Sequence, residues 1–452
     1  MYSKEIQEAL IRQRISEGDL IRISSKGLTL EGVLLPKTTE SDPRVLTLKL
    51  ASGYNAGFLF WHGASIEKLR AGAPPGTIPK ISLKQSGLPK IAVVATGGTI
   101  GTHVDYTTGG VFMCRTPEEV LATTPELERI ASIKSVSSPF TLASEDIQPH
   151  HWVKLAHEIA RHANDPEIQG IVVTHGTDAL GYTSAALSFM LRGLHKPVAL
   201  VGAQRSPDRG SFDGSLNLVC GAYYAAYSSR PGVAVVMHGS TSDDFCYAHS
   251  GVKVRKMHSS RRDAFQSINA EPLAKIFPDG KIEWMGDARP TPSEKGKCVA
   301  DAVFEEKVAI LKSYPGSDPG LLDHLVEKGF KGVVIEAMAL GHLPTGESGT
   351  DVSGFDRKKT WIPAVKRAVS HGVVVAITSQ SINGPVHPHV YRNLRLVSDA
   401  GALYCRDMLA ETAYAKLGWV LGHRPDATVA KKMMLENVAG EFNDRIRLDE
   451  FK

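Results

Sequence analysis

Four runs of continuous apolar residues constrain this chain more than anything else in it: "IAVVAT" from Ile91, "GIVVTHG" from Gly170, "PVALVG" from Pro197 and "GVAVVMHG" from Gly232. A strand that is apolar at every position, not at alternate ones, has to be covered on both faces. That is the environment of a parallel sheet held between helices. Between the runs, "TSAALSFMLRGL" and "SLNLVCGAYYAA" carry helical periodicity, so the expected unit is a doubly wound α/β domain. A second series, "KVAILKSYP", "KGVVIEAM" and "GVVVAITSQ", follows the irregular "PDGKIEWMGDARPTPSEKGK" and predicts a second α/β domain.

The first 85 residues are written differently. "DLIRISSKGLTLEGVLLP" and "RVLTLKLASGYNAGFLF" alternate polar and apolar residues and turn at Gly and Asp-Pro, which reads as a small antiparallel barrel after one short amphipathic helix. Its end is expected near "GAPPGTIPKISLKQSGLPK", where Pro, Gly and Lys dilute the apolar pattern into a linker. The expected division is therefore 1–85, 86–295 and 296–452, in keeping with ~100–200 residues per domain.

Strand ends are where this architecture binds its ligands. "VATGGT" closes the first run at Thr96 and "VVTHGTDA" closes the second just before Thr177, each with glycines beside a hydroxyl residue. Glycine lets backbone N–H groups approach a bound group closely, so the pair could stabilise an oxyanion. The glycines also suggest a phosphate loop, but no Lys-Ser/Thr follows in Walker spacing and GxGxxG is absent. Downstream, "VKVRKMHSSRRDAF" crowds Lys253, Arg255, Lys256, Arg261 and Arg262 into what reads as a loop after "GVAVVMHG". Alone it would be a solvated basic surface. One of its lysines set against Asp178 could instead help a threonine hydroxyl lose its proton.

Together, "ATGGTI", "THGTD" and a downstream lysine resemble the double signature of the asparaginase/glutaminase family. Within it, "MHGSTSDDFCYAHSGVKVRKMHSSRRDAFQSIN", "CRDMLAETAYAKLGWVLGH" and the N-terminal barrel are similar to the archaeal tRNA-dependent amidotransferase subunits, over nearly the whole chain. The resemblance implies two doubly wound asparaginase-like α/β domains preceded by a small β-barrel. It places the nucleophile on Thr96 and a second triad on Thr177, Asp178 and Lys256. Tyr106 matches the tyrosine of a mobile loop, Ser144 and Glu145 match the segment holding the amino-acid end of the substrate, and Asp178 is expected to contact the substrate as well.

The implied activity is glutaminase: ammonia from glutamine passes to a partner E subunit that uses ATP and Mg to convert Glu-tRNA(Gln) to Gln-tRNA(Gln). The chain itself is expected to hold no cofactor and to form a homodimer within a heterotetramer. Which threonine hydroxyl the Asp178–Lys256 pair activates stays open at this level. The competing readings are a free-standing cytosolic L-asparaginase and a non-catalytic tRNA-docking scaffold. Two departures from the family pattern, Ala179 and the Thr102-His103 pair, touch no matched catalytic position.

Composition narrows the setting. A formal charge of +4 is too mild to imply nucleic-acid binding by itself. The five cysteines are scattered and form no CxxC pair, which points away from a disulfide framework or a zinc site and towards a reducing cytoplasm. His150-His151 and His387/His389 raise a metal question, but there is no HExxH and the implied chemistry needs no ion. The charged start "MYSKEIQEALIRQRISEGD" is not expected to be a secretory signal, and no run of 18 apolar residues suggests a membrane span.

Overall fold

The structure is a computed structural model. It describes the chain apart from residues 1, 26, 36, 38–41, 51–54, 62, 73–86, 99, 101, 105–110, 114–123, 125, 206–211, 287–295, 348–353 and 447–452. Most of the expected linker, the Tyr106 position and Cys114 lie outside the described residues.

The apolar runs form the parallel heart of an eight-stranded sheet. Lys90–Ala95, Ile168–Thr174, Pro197–Val201 and Gly232–His238 lie side by side in that order, with Ser132–Ser137 parallel to the first as an edge. Strict alternation explains why every position is apolar. Ala92, Val94, Ile171, Val173, Val198 and Leu200 face a core with the helices Pro149–Ala163 and Leu180–Met190, whereas Ile91, Val93, Val172, Ala199 and Val201 face a second core under the helix Gly214–Tyr227. The helix Pro149–Ala163 starts at a reciprocal cap, in which the Gln148 N–H donates to His151 Nδ1 at 3.0 Å.

Past Gly232–His238 the sheet turns antiparallel through Cys246–Ser250, Ala274–Ile276 and Ile282–Trp284. The sequence pattern does not foretell this extension, and Ile282–Trp284 reads there as part of an irregular stretch. Strands of three residues are too short to display a period of two. The second α/β unit carries the parallel strands Val308–Lys312, Gly332–Ala337, Val374–Ser379 and Leu403–Tyr404 in chain order.

The two α/β units share a core. Val308, Val334, Val374 and Ala376 pack into the same cluster as the first unit's Val94, Val173 and Leu187. The seam is helix on helix: Ala410–Gly422 lies against Leu180–Met190, with Phe189 and Trp419 stacked at 6.1 Å and Tyr182 edge-on to Tyr414. The inner helix carries no charged residue, and it is covered by the sheet on one side and by this partner on the other.

At the N-terminus, the helix Lys4–Arg12 precedes a five-stranded antiparallel sheet in the order Asn55–Leu59, Val45–Lys49, Leu28–Leu34, Leu20–Ser25, Ser65–Arg70. Its core is its own: Ile6, Ile21, Ile23, Leu34, Leu46, Leu48 and Phe58. Among the described residues no helix is long and apolar enough to cross a membrane.

Candidate active site

The strands Lys90–Ala95 and Ile168–Thr174 are parallel neighbours with Ala95 opposite Thr174. The turn Thr96-Gly97-Gly98 therefore leaves the sheet beside the turn His175-Gly176-Thr177. Backbone contact fuses them. A Cβ on Gly98, which holds φ +84°, would stand 2.4 Å from the Cα and N of Gly176, and a Cβ on Gly176 would stand 2.7 Å from the Cβ and Oγ of Ser144. Both glycines are needed for this approach.

Thr96 is 1% exposed, and its hydroxyl donates to the Thr174 carbonyl at 2.9 Å. Its N–H donates to the same carbonyl at 3.1 Å. Thr177, 8% exposed, accepts a hydrogen bond from Lys256 Nζ at 2.9 Å, and the same ammonium group donates to Asp178 Oδ1 at 2.7 Å. Asp178 stands at the mouth with 62% of its side chain exposed, whereas Lys256 is 18% exposed. An ion pair that open to water adds little stability. Its value is geometric: it fixes an ammonium against a hydroxyl.

Ser144 is buried at the start of the single turn Ser144–Asp146, and its Oγ accepts from the N–H groups of Asp178 at 3.1 Å and Ala179 at 3.4 Å. It thus braces the turn that carries Thr177 and Asp178. Glu145 is exposed on the same turn. The structure joins Thr177, Asp178, Lys256 and Ser144 directly, with Thr96 attached through the Thr174 carbonyl; the Tyr106 match lies outside the described residues.

Sequence reasoning misses His175, although it stands inside "VVTHGTDA". It is wholly buried, and burial pushes its imidazole down to about 4, so the ring is neutral at ordinary pH. A carbonyl only accepts, so Nδ1 carries the hydrogen and donates to Gly176 O at 2.6 Å. His175 thereby pins the turn from below.

The cluster of cations is not an open basic surface. Lys253 pairs with Asp407 at 2.5 Å, Arg255 with Glu411 at 3.3 Å, Arg261 with Asp263 at 2.6 Å and Arg262 with Asp243 at 2.6 Å. Lys256 ends not a loop but the short strand Val254–Lys256, paired antiparallel with Phe265–Ser267 so that Lys256 faces Phe265. Of the other flagged histidines, His151 serves the helix cap and His387 Nδ1 accepts the His389 N–H at 3.1 Å.

Known proteins resemble the chain region by region. The asparaginase N-terminal family model matches residues 90–289, the glutaminase/asparaginase C-terminal domain matches 307–434 and the GatD N-terminal domain matches 15–69. The D-type chain of the glutamyl-tRNA(Gln) amidotransferase of Thermococcus kodakarensis is 46% identical over 99% of each chain, and its counterpart in Pyrococcus furiosus is also 46% identical over 99% of each. Among solved structures, the thermostable L-asparaginase of Thermococcus kodakarensis superposes with a TM-score of 0.67 at 28% identity, covering 79% of this chain and 100% of that one. The L-asparaginase I of Vibrio cholerae gives the same TM-score and the same coverage of each chain at 25% identity. With the strand-end threonines, the three domain matches and relatives of the same length in agreement, this chain belongs to the asparaginase family, in its GatD branch of archaeal glutamyl-tRNA(Gln) amidotransferases.

Proposed function

We propose that this chain is the glutaminase component of a tRNA-dependent amidotransferase. It releases ammonia from the side-chain amide of glutamine, and a partner E subunit uses that ammonia, with ATP and Mg, to convert Glu-tRNA(Gln) to Gln-tRNA(Gln). The observation that carries the reading is Lys256 shared between Thr177 and Asp178, beside the Thr96 turn. Thr96 Oγ attacks the amide carbon and forms an acyl-threonine. Its proton passes through the Thr177 hydroxyl and Lys256 to the leaving nitrogen, so that ammonia departs and the lysine ends as it began. Water then attacks the acyl group, returns a hydrogen to Thr96 and frees glutamate.

The Thr96 and Asp178 N–H groups already donate to the Thr174 carbonyl and the Ser144 hydroxyl. The oxyanion is therefore assigned to their neighbours, the N–H groups of Gly97 and Thr177. The exposed Asp178 carboxylate and the Ser144–Glu145 turn receive the charged end of the substrate, and Tyr106 closes over it. The N-terminal sheet favours this reading over a free-standing asparaginase, because it has its own core and its own family match, whereas hydrolysis of a small amide needs no such unit. Two copies of the chain are expected in a heterotetramer with two E subunits, in the cytoplasm.

The test is Thr96→Ala. It removes one buried hydrogen bond, on the order of 1 kcal/mol, so the protein is expected to fold, to lose glutamine hydrolysis and to regain tRNA amidation in the complex when ammonium is supplied. Near-normal ammonia release would overturn the nucleophile assignment. Failure of ammonium rescue would overturn the division of labour between the two kinds of chain.

A further inference from the structure

Lys256 depends on an unusually short support. The ribbon Val254–Lys256 with Phe265–Ser267 is three residues long on each side, and a two-stranded ribbon of that size is marginal by itself. Yet Nζ must hold contacts of 2.9 and 2.7 Å to Thr177 and Asp178. The fixture that holds it belongs to the second α/β unit.

Three residues before Lys256, Lys253 is 2% exposed and its ammonium group donates to Asp407 Oδ2 at 2.5 Å, with Asp407 itself 6% exposed. The other Asp407 oxygen accepts the Asn443 N–H at 2.9 Å. Asn269, just past the ribbon, donates to the Asp407 carbonyl at 3.0 Å and accepts the Gly384 N–H at 2.8 Å. Thr412 donates to the Val252 carbonyl at 2.9 Å, and Glu411 receives Arg255. Residues 252, 253, 255 and 269 are thus each tied to the second unit, and most of those ties end on residues 407–412.

Residues 407–412 form the approach to and the first turn of the helix Ala410–Gly422, which packs on Leu180–Met190, the helix that begins two residues after Asp178. One rigid element of the second unit therefore grips both sides of the Lys256–Asp178 contact. We propose that the buried Lys253–Asp407 pair is a positioning device for Lys256, through which the second α/β unit sets the catalytic ammonium against Thr177. The kinetic part of this inference rests on the glutaminase reading; the mechanical part does not.

A buried ion pair replaced by neutral groups of similar volume is often tolerated, whereas a single removal leaves a stranded charge. The variant is therefore Lys253→Met with Asp407→Asn, which keeps an acceptor for the Asn443 N–H. Thr412→Val, which removes only the Val252 tether, is the second variant should the first not fold. The full-length chain is compared with wild type by thermal midpoint, by hydrogen exchange of peptides spanning 252–268 against the reference strand Lys90–Ala95, and by kcat and KM for glutamine.

Expected are a near-native midpoint, exchange across 252–268 faster by about tenfold or more, and kcat lower by about tenfold with KM within about twofold, as for a slightly displaced catalytic group. Wild-type kcat in a folded variant overturns the proposal, and so does unchanged exchange, because the ribbon is then held by something else. Absence of ammonia release by the wild-type chain would sink the glutaminase reading instead, and the exchange comparison would still decide the clamp.

Discussion

Gly98→Ala is the sharpest test of the idea that two backbone turns in contact make this site. The added Cβ would lie 2.4 Å from the Cα and N of Gly176 and 2.9 Å from the His175 carbonyl carbon. All three are main-chain atoms, so no side-chain rotation relieves the overlap. Ordinary contact requires the turns to part by about 1 Å, and the φ of +84° adds the penalty of about 1–2 kcal/mol that a non-glycine residue meets in a left-handed conformation. The expected stability loss is about 2–4 kcal/mol, within the range of single strained substitutions. A displacement of 1 Å between groups that act together lowers rate by roughly a hundredfold. Ammonia release at saturating glutamine, measured with a thermal scan, separates the two effects. Gly87→Ala serves as the control, because a Cβ there meets nothing within 4 Å and no positive φ is involved. A folded Gly98→Ala protein with kcat within about threefold of wild type would refute the claim that the close approach of the turns is needed for catalysis.

Acid is expected to weaken the fold well before the carboxylates titrate. The imidazoles of His175 and His249 are pushed down by burial to about 4 and about 3, so the unfolded chain takes up protons that the folded chain refuses. Their contribution is complete above the ordinary histidine value near 6.5 and falls as pH drops below it, by about 2 kcal/mol per residue at pH 5. Urea midpoints at pH 8 and pH 5 measure this, and equal midpoints would contradict it. Removal of the N-terminal sheet, leaving residues 86–452, is expected to preserve glutamine hydrolysis and weaken tRNA amidation, since that sheet packs on its own core. Full amidation by the truncated chain would show that the sheet is not a docking unit, and loss of hydrolysis in a folded truncation would show that it helps build the site.

The parallel sheet was legible because burial on both faces leaves a mark at every residue of "IAVVAT" and "GIVVTHG". The strand-end threonines followed from that, since topology alone brings the ends of neighbouring parallel strands together. Lys256 was a different matter. Nothing local separates it from Lys253, and only family resemblance chose between them. The structure shows why: the three cations nearest the site are defined by acids far away in sequence, Asp407 for Lys253, Glu411 for Arg255 and Asp178 for Lys256, and no periodicity encodes such pairings. His175 is hidden for the opposite reason. Its role is to hold its neighbour's carbonyl, a contact between adjacent residues that depends on which way a buried ring turns.

The common core of the two α/β units also bears on how quickly the site can be reached. Units that meet through a thin polar interface can swing apart around a bound molecule. Here such a swing would part the helix Leu180–Met190 from Ala410–Gly422, split the Phe189–Trp419 stack and expose that apolar seam to water. Burial of that seam therefore opposes hinge opening between the units, and substrate is expected to reach the strand ends at Thr96 and Thr177 without it.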